Sequence, residues 1–434
     1  MAFKVKKYSL AAGILSASLL LAACGGSDST SGGKNAGSGS KEDKVVVDIF
    51  QGKVEIADQL KALTDEYAKQ NPNVTFNIET VGGGADGAAA LKAKFASNQA
   101  PDIFTNDGDQ QLLVWKDKFE DLSDQPWVSD AFEGTLDGMT LDGKVYGMPL
   151  NMEGYGLAYN KELFEKAGIK EIPTTISELE AAAKKLQDAG ITPFAIGYGE
   201  WWVLANHGMN VPFAYQEDPD QFIQGLNDGT ATIAGNEQFA KFFDFLDLTM
   251  KYGNKNPLTT DYNTQVTLFA TGEAAMIQQG NWIQPMLDKI APGLEVGFLP
   301  LALSDDAAQS DKLMIDVPSN WVVHNGAPDA DKKAAKDFLN WMVSSEEGKT
   351  AITKEFKYIP AFKTIDAKAE DIGPLGADLL KYSKEGKAYQ WQFMKYPDGA
   401  GQEFGATLQG YIGGQHSKED AMKKLDATWA KLKK

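Results

Sequence analysis

Apolar positions change period several times along the chain, and each change predicts an element. Lys44–Phe50 (KVVVDIF) is a β-branched run that reads as a strand. In Glu55–Gln70, Ile56, Leu60, Leu63 and Tyr67 recur at spacings of four, three and four, one stripe on a helix. Asn71-Pro72 breaks that helix, Val74–Glu79 alternates as a second strand, Ala88–Ser97 is helical by composition, and Pro101–Thr105 reads as a third strand. Strand, helix, strand, helix, strand is the order of a parallel sheet covered by helices. Further helices are predicted at Lys161–Ala167, Ser177–Ala189, Asn236–Tyr252, Ala330–Ser345 and Glu419–Lys434, with strands at Pro193–Gly197, Ala275–Gln278 and Asn320–His324. Thr175 or Ser177, followed by Glu178 or Glu180, has the form of a capping box. Gly143–Asn160 holds two strand-like runs interrupted by Pro149 and Gly154, as a chain crossing between lobes would. No repeat of fixed period is present, and 434 residues predict two or three domains.

Ligands of such sheets bind outside the carboxyl ends of the strands. Gln51 follows the first strand and Asp107 the third, both in glycine-containing loops. They are candidate ligand contacts, and turn chemistry is the competing explanation of their residue types.

Hydrophobic residues at 43% and aromatics at 10% fill sizeable cores and exclude a wholly disordered chain. The formal charge is −18, and all 42 basic residues are lysine. An acidic chain without one guanidinium argues against nucleic acid as a partner and lowers the odds of an anionic ligand. The single cysteine, Cys24, permits no disulfide within the chain and no cysteine-based zinc site. Three histidines, His207, His324 and His416, leave little room for a metal centre, and neither metal nor cofactor is expected.

The first residues have the form of an export signal. Lys4, Lys6 and Lys7 precede an apolar run, Leu10–Ala22, that is shorter than the roughly 20 residues a membrane span needs. Leu21-Ala22-Ala23-Cys24 resembles the bacterial lipobox, which makes 1–23 a signal peptide and Cys24 the lipidation site; an ordinary secretory signal with a chance cysteine is the alternative. In residues 25–43, 11 of 19 are Gly or Ser, so 24–43 reads as a flexible tether between a lipid and a folded body. No other stretch is long and apolar enough to cross a bilayer.

Familiar catalytic patterns are missing. The segment VGGGADG at 81–87 lacks the Gly-Lys-Ser/Thr of a phosphate loop, and no HExxH or GxSxG occurs. Asp261, Asn263 and Gln265 mimic the start of a calcium loop, but Val266 and Gly272 stand where its glycine and glutamate belong. Tryptophan is more telling. Trp115, Trp341 and Trp429 lie in amphipathic helices and are expected in cores. Trp201, Trp202, Trp282, Trp321 and Trp391 instead lie among Gly, Asn, Ser and Gln in loop-like sequence. Indoles beside amides and carboxylates suit a sugar, whose C–H faces stack on rings and whose hydroxyls donate and accept hydrogen bonds.

Over residues 44–434 the ordered segments PDIFTNDGDQ, KVYGMPLNMEGYGLAYNKELFEKAGI, SELEAAAKKLQDAGITPFAIG, LFATGEAAMIQQGNWI, DKKAAKDFLNWMVSSEEGKTAI and YIPAF, together with the lipobox, resemble a family-1 extracellular solute-binding protein of an ABC importer. The resemblance implies an α/β, periplasmic-binding-protein-like fold. Its two lobes, each a sheet flanked by helices, would be joined by a hinge and close on an oligosaccharide. It implies ligand contacts at Gln51 and Asp107, at Asn151 and Glu153 in the crossing segment, at Asn281 and Trp282, and at the late aromatics Trp321 and Trp391; Trp201 and Trp202 complete the candidate set. The expected division is 44–151 with 280–324 as one lobe and 152–279 with 325–434 as the other, with crossings near 151–154, Gln279 and His324. Expected partners are a neutral di- to tetrasaccharide, such as an α-glucoside or α-galactoside, and the permease subunits. The protein would be a monomer, lipid-anchored on the outer face of the membrane, with no catalytic residues. Two rivals stand beside this reading: an extracellular glycoside hydrolase, which needs two carboxylates about 5–9 Å apart, and a surface adhesin without a small ligand.

Overall fold

The computed structural model describes residues 44–433, so the expected signal peptide, the expected lipidation site Cys24 and the expected tether lie outside the described residues. The strand, helix, strand order of the N-terminal segment builds one sheet. Its strand order is Val74–Thr80, Val45–Gln51, Ile103–Asn106, Asn320–Val323 and Met148–Pro149. Val45–Gln51 runs parallel to both of its neighbours, as the alternating elements predict, while Asn320–Val323 joins antiparallel. Both faces are covered. Val47 and Ile49 point to a core shared with Leu60, Leu63 and Tyr67 of the helix Ala57–Gln70. Phe50 and Phe104 point to a smaller core with Leu91 and Trp115 on the other side.

A second sheet is ordered Ala388–Tyr389, Leu313–Asp316, Glu153–Asn160, Ala274–Gly280 and Thr192–Ala195, with Val296–Leu299 also paired to Glu153–Asn160. Every residue of Glu153–Asn160 and of Ala274–Gly280 is buried, as central strands covered on both faces must be. The helix Ile176–Asp188 packs on this sheet and begins with the predicted capping box, in which Thr175 accepts from the Glu178 N–H and Glu178 accepts from the Thr175 N–H. The fold is thus α/β and two-lobed, each lobe a sheet flanked by helices.

The sheets divide the chain differently from the sequence expectation. Val296–Leu299 and Leu313–Asp316, not anticipated as strands, belong to the second sheet, so most of 280–324 lies with the lobe opposite to the one expected. The helix Asp329–Ser344 and the chain through Ile365 pack on the first sheet through Phe338, Leu339, Phe356 and Phe362, against the expected placement of 325–434. Ala274–Gly280 continues into elements of its own lobe, so no crossing occurs at Gln279. Short links carry the chain across at 150–152 and 317–319, and a third passage near 366–368 leads back to the second core.

Candidate functional site

Two adjoining hollows, of about 280 and 410 Å³, lie between the sheets. The inner one is bounded by loops at the carboxyl ends of the first sheet's strands (Lys53, Gly82–Ala85, Asp107) and, from the second lobe, by Trp201, Trp202, His207, Tyr262, Trp282 and Trp391. The outer one continues along the helix Gly87–Ala96 towards Pro397–Gln402. Residues at the boundary line both, among them Thr105, Asp107, Trp201, Asn206 and Phe393.

Charge in the inner hollow centres on Lys53. Its ammonium lies 2.6 Å from Glu153, a carboxylate that is almost wholly buried. Burial opposes the lysine's charge, but Glu153 and Glu55 outweigh it and hold the ammonium above its ordinary value. Burial raises the Glu55 carboxyl, and Lys53 and the Tyr262 hydroxyl that donates to it partly offset the rise. Asp107 keeps contact with water in the cleft and makes no side-chain hydrogen bond among the described residues. Desolvation by the surrounding walls pushes its carboxyl up to about 6, with Lys53 pulling the other way. His207 is stacked on Tyr155 at 4.4 Å, and burial, with Lys53 nearby, lowers it to about 3, so it is a neutral ring at pH 7.

The aromatic wall follows from local backbone. Trp282 sits in the short 3₁₀ turn Asn281–Ile283, and its Nε1 donates to Gln279 at 3.0 Å. Its ring lies over Gly280, where a Cβ would come within 2.1 Å of the indole, so this close approach requires a glycine two residues before the tryptophan. Trp391 is fixed by its backbone N–H to Asp316 at 2.9 Å, and Trp202 Nε1 donates to Glu200 at 3.2 Å.

The sequence candidates fall into three groups. Asp107, Glu153, Trp201, Trp202, Trp282 and Trp391 line the cleft. Gln51, Asn151 and Asn281 stand behind it, fully buried: Gln51 donates to Thr80 and to the Lys53 carbonyl, Asn151 donates to Glu153 at 3.1 Å, and Asn281 accepts the Gly154 N–H at 3.0 Å. They shape the loops that carry the lining. Trp321 does not reach the cleft. It is the second residue of the strand Asn320–Val323, and strand alternation turns it into the first sheet's core while Val322 faces the opposite one. Lys53, Glu55, Asn206, His207 and Tyr262 were not anticipated. Lys53 could have been found from its position two residues past Gln51, whereas the other four carry no local signal.

A cleft between two α/β lobes, crossed by short links and walled by aromatic rings and carboxylates, defines a two-lobed solute receptor. The chain belongs to the bacterial extracellular solute-binding protein family, whose profile matches residues 33–349. It is 26% identical over 291 residues to the multiple sugar-binding protein of Streptococcus mutans, a match spanning 64% of this chain and 66% of that relative. It is 24% identical over 240 residues to the xylose/arabinose-binding protein of Haloferax volcanii, 52% of this chain and half of that protein. A chitin oligosaccharide binding protein superimposes with a TM-score of 0.78 at 23% identity, covering 90% of this chain and 99% of the other. The receptor RafE in complex with raffinose gives 0.78 at 20% identity, covering 90% and 100%. Among the described residues no helix is long and apolar enough to cross a membrane.

Proposed function

We propose that the protein is the lipid-anchored receptor of an ABC sugar importer, held by Cys24 on the outer face of the membrane. It captures a neutral oligosaccharide of two to four rings, an α-glucoside or α-galactoside, by hinge closure, and delivers it as a monomer to the permease. The cleft carries this reading: Trp201, Trp202, Trp282 and Trp391 line one hollow with Asp107 and Glu153. Ring faces beside hydrogen-bonding carboxylates suit sugars. Lys53, the lysine lining the inner hollow, is engaged by Glu153, and His207 is held neutral by burial, which disfavours an anionic ligand. The names of the relatives and the raffinose complex agree in ligand class. The links at 150–152 and 317–319 give the lobes a hinge.

A thermal-shift screen of the protein against neutral oligosaccharides, with product analysis of every hit, tests the reading. Stabilisation by an intact sugar, weakly dependent on salt, is expected. Turnover of the hit would establish a glycoside hydrolase instead, and no stabilisation by any sugar would favour an adhesin.

A further inference from the structure

The boundary between the two hollows is built from both lobes. Asp107 reaches it from the loop after Ile103–Asn106, and Asn206, Trp201 and Phe393 reach it from the second lobe. Neither the Asp107 carboxylate nor the Asn206 carboxamide makes a side-chain hydrogen bond among the described residues, whereas the carboxylates beside them are paired, Glu153 with Lys53 and Glu55 with Tyr262. Asn206 is partly exposed, so the amide is available to a ligand.

The backbone explains how Asn206 comes to be there. Val203–Gly208 is a π-helical turn, in which the Met209 N–H donates to the Leu204 carbonyl five residues back at 2.9 Å. In an α-helix, residues five apart point about 140° away from one another. The wider turn brings position i+5 back towards i, so Asn206 shares a wall with Trp201 and His207 shares one with Trp202. Space is kept for this arrangement by Gly401, where a Cβ would stand 2.9 Å from Asn206 Oδ1 and 3.0 Å from the Trp201 ring. A π-turn is costly to keep in a helix and is concentrated at functional sites.

We propose that Asn206, acting with Asp107, is the specificity-determining residue for the sugar ring seated between the two hollows, a role that rests on the oligosaccharide reading above. A carboxylate only accepts, whereas a carboxamide both donates and accepts. A ring hydroxyl placed between them donates to Asp107 and accepts from the Asn206 amide, while Trp201 covers a C–H face. An epimer that turns this hydroxyl away leaves both groups unpaired, and a hydrogen-bonding site rejects a ligand on those grounds. The selection therefore acts on hydroxyl stereochemistry, not on ring count.

The test compares wild type with Asn206→Ala and the isosteric Asn206→Asp by calorimetric titration. The panel contains isomaltose and melibiose, which differ only in one hydroxyl of the non-reducing ring, with isomaltotriose and raffinose as their longer counterparts. Both variants should keep the unliganded melting temperature. Each should lose about tenfold in affinity for the preferred sugar, and the preference between epimers should shrink. Asn206→Asp guards against a packing defect in the alanine variant, because it keeps the shape and removes the donor. Wild-type binding with affinities and epimer ratio unchanged in both variants would overturn the proposal while leaving the sugar reading intact. If wild type binds no member of the panel or its longer homologues, the sugar reading fails and this assignment falls with it.

Discussion

The ammonium of Lys53 lies 2.6 and 2.7 Å from the two carboxylate oxygens of Glu153, joining the loop after one sheet's first strand to the start of the other sheet's central strand. The ends of this pair are unequal, with side-chain exposure of 21% for the lysine and 1% for the glutamate. Lys53 also has the carboxylates Glu55 and Asp107 nearby, whereas a further partner of Glu153 is the neutral amide of Asn151 at 3.1 Å.

Breaking the pair should therefore be asymmetric. Lys53→Met strands a buried carboxylate and should cost about 3 kcal/mol of stability. Glu153→Gln leaves an ammonium with water access and other carboxylates, and should cost less than half as much. Urea unfolding of the unliganded variants measures both; equal losses would contradict the asymmetry.

Trp282 and Trp391, 109 positions apart in the chain, meet edge to face with centroids 6.3 Å apart and planes at 83°. They form a corner of the inner hollow, not two separate platforms for successive rings. Each alanine variant should lose about 1–3 kcal/mol of sugar affinity, by analogy with base stacking, and the double variant should lose less than the sum. Calorimetric titration of the three variants checks this. Both rings are largely buried, so melting temperatures must be read alongside, and Trp391→Ala with full affinity but a sharply lowered melting temperature would mark that ring as core alone.

Trp321 supplies the contrast. Its ring belongs to the first sheet's core, so Trp321→Ala should cost about 3–5 kcal/mol of folding stability. The milder Trp321→Phe should remain folded, with a lower melting temperature and sugar affinity within twofold of wild type. A tenfold affinity loss in the phenylalanine variant would return Trp321 to the site.

Asp107 predicts a pH dependence. Its folded-state value of about 6 lies above the ordinary 3.8, so its contribution to unliganded stability is fully present below 3.8 and is lost as pH rises through about 6. Sugar hydroxyls donating to the carboxylate favour its ionised form, so binding runs the other way and releases a proton near pH 6. Affinity should be flat from pH 8 to 7 and fall about tenfold by pH 5, and Asp107→Asn should flatten the profile. An acid-insensitive wild type would remove Asp107 from the contact set.

Closure should be visible in solution. At the rim, Lys92 from the helix Gly87–Ala96 and Gln111 from the first lobe both donate to Asp398 of the second at 3.0 Å. Small-angle scattering should give a smaller radius of gyration when the preferred sugar is added. Asp398→Ala should weaken binding by about threefold, in keeping with a half-exposed pair. An unchanged radius at saturation would argue against a moving hinge.

The local sequence determined most of the elements and little of their assembly. Ile56, Leu60, Leu63 and Tyr67 fixed a helix because a 3.6-residue period has one solution, and KVVVDIF fixed the strand on which that helix packs. The alternation of strand and helix also fixed the parallel pairing that places Asp107 at the cleft, and the clustering of tryptophans beside amides and acids pointed to the chemistry. Strand partners, by contrast, are chosen over long separations. Nothing within Val296–Leu299 or Leu313–Asp316 says that both pair with Glu153–Asn160, and this pairing moved the lobe boundaries from where the sequence placed them. Trp321 lies in a strand that the sequence does predict, Asn320–His324, but Ser319 and Asn320 before it suggested a ring facing a ligand, and packing alone shows that the strand's two-residue period turns it into the core. Lys53 with Glu153, Glu55 with Tyr262, and Asn206 beside Trp201 are likewise products of two lobes meeting and of one widened helical turn. Short-range periodicity is written in neighbouring residues, whereas a site made between lobes exists only once distant segments have packed.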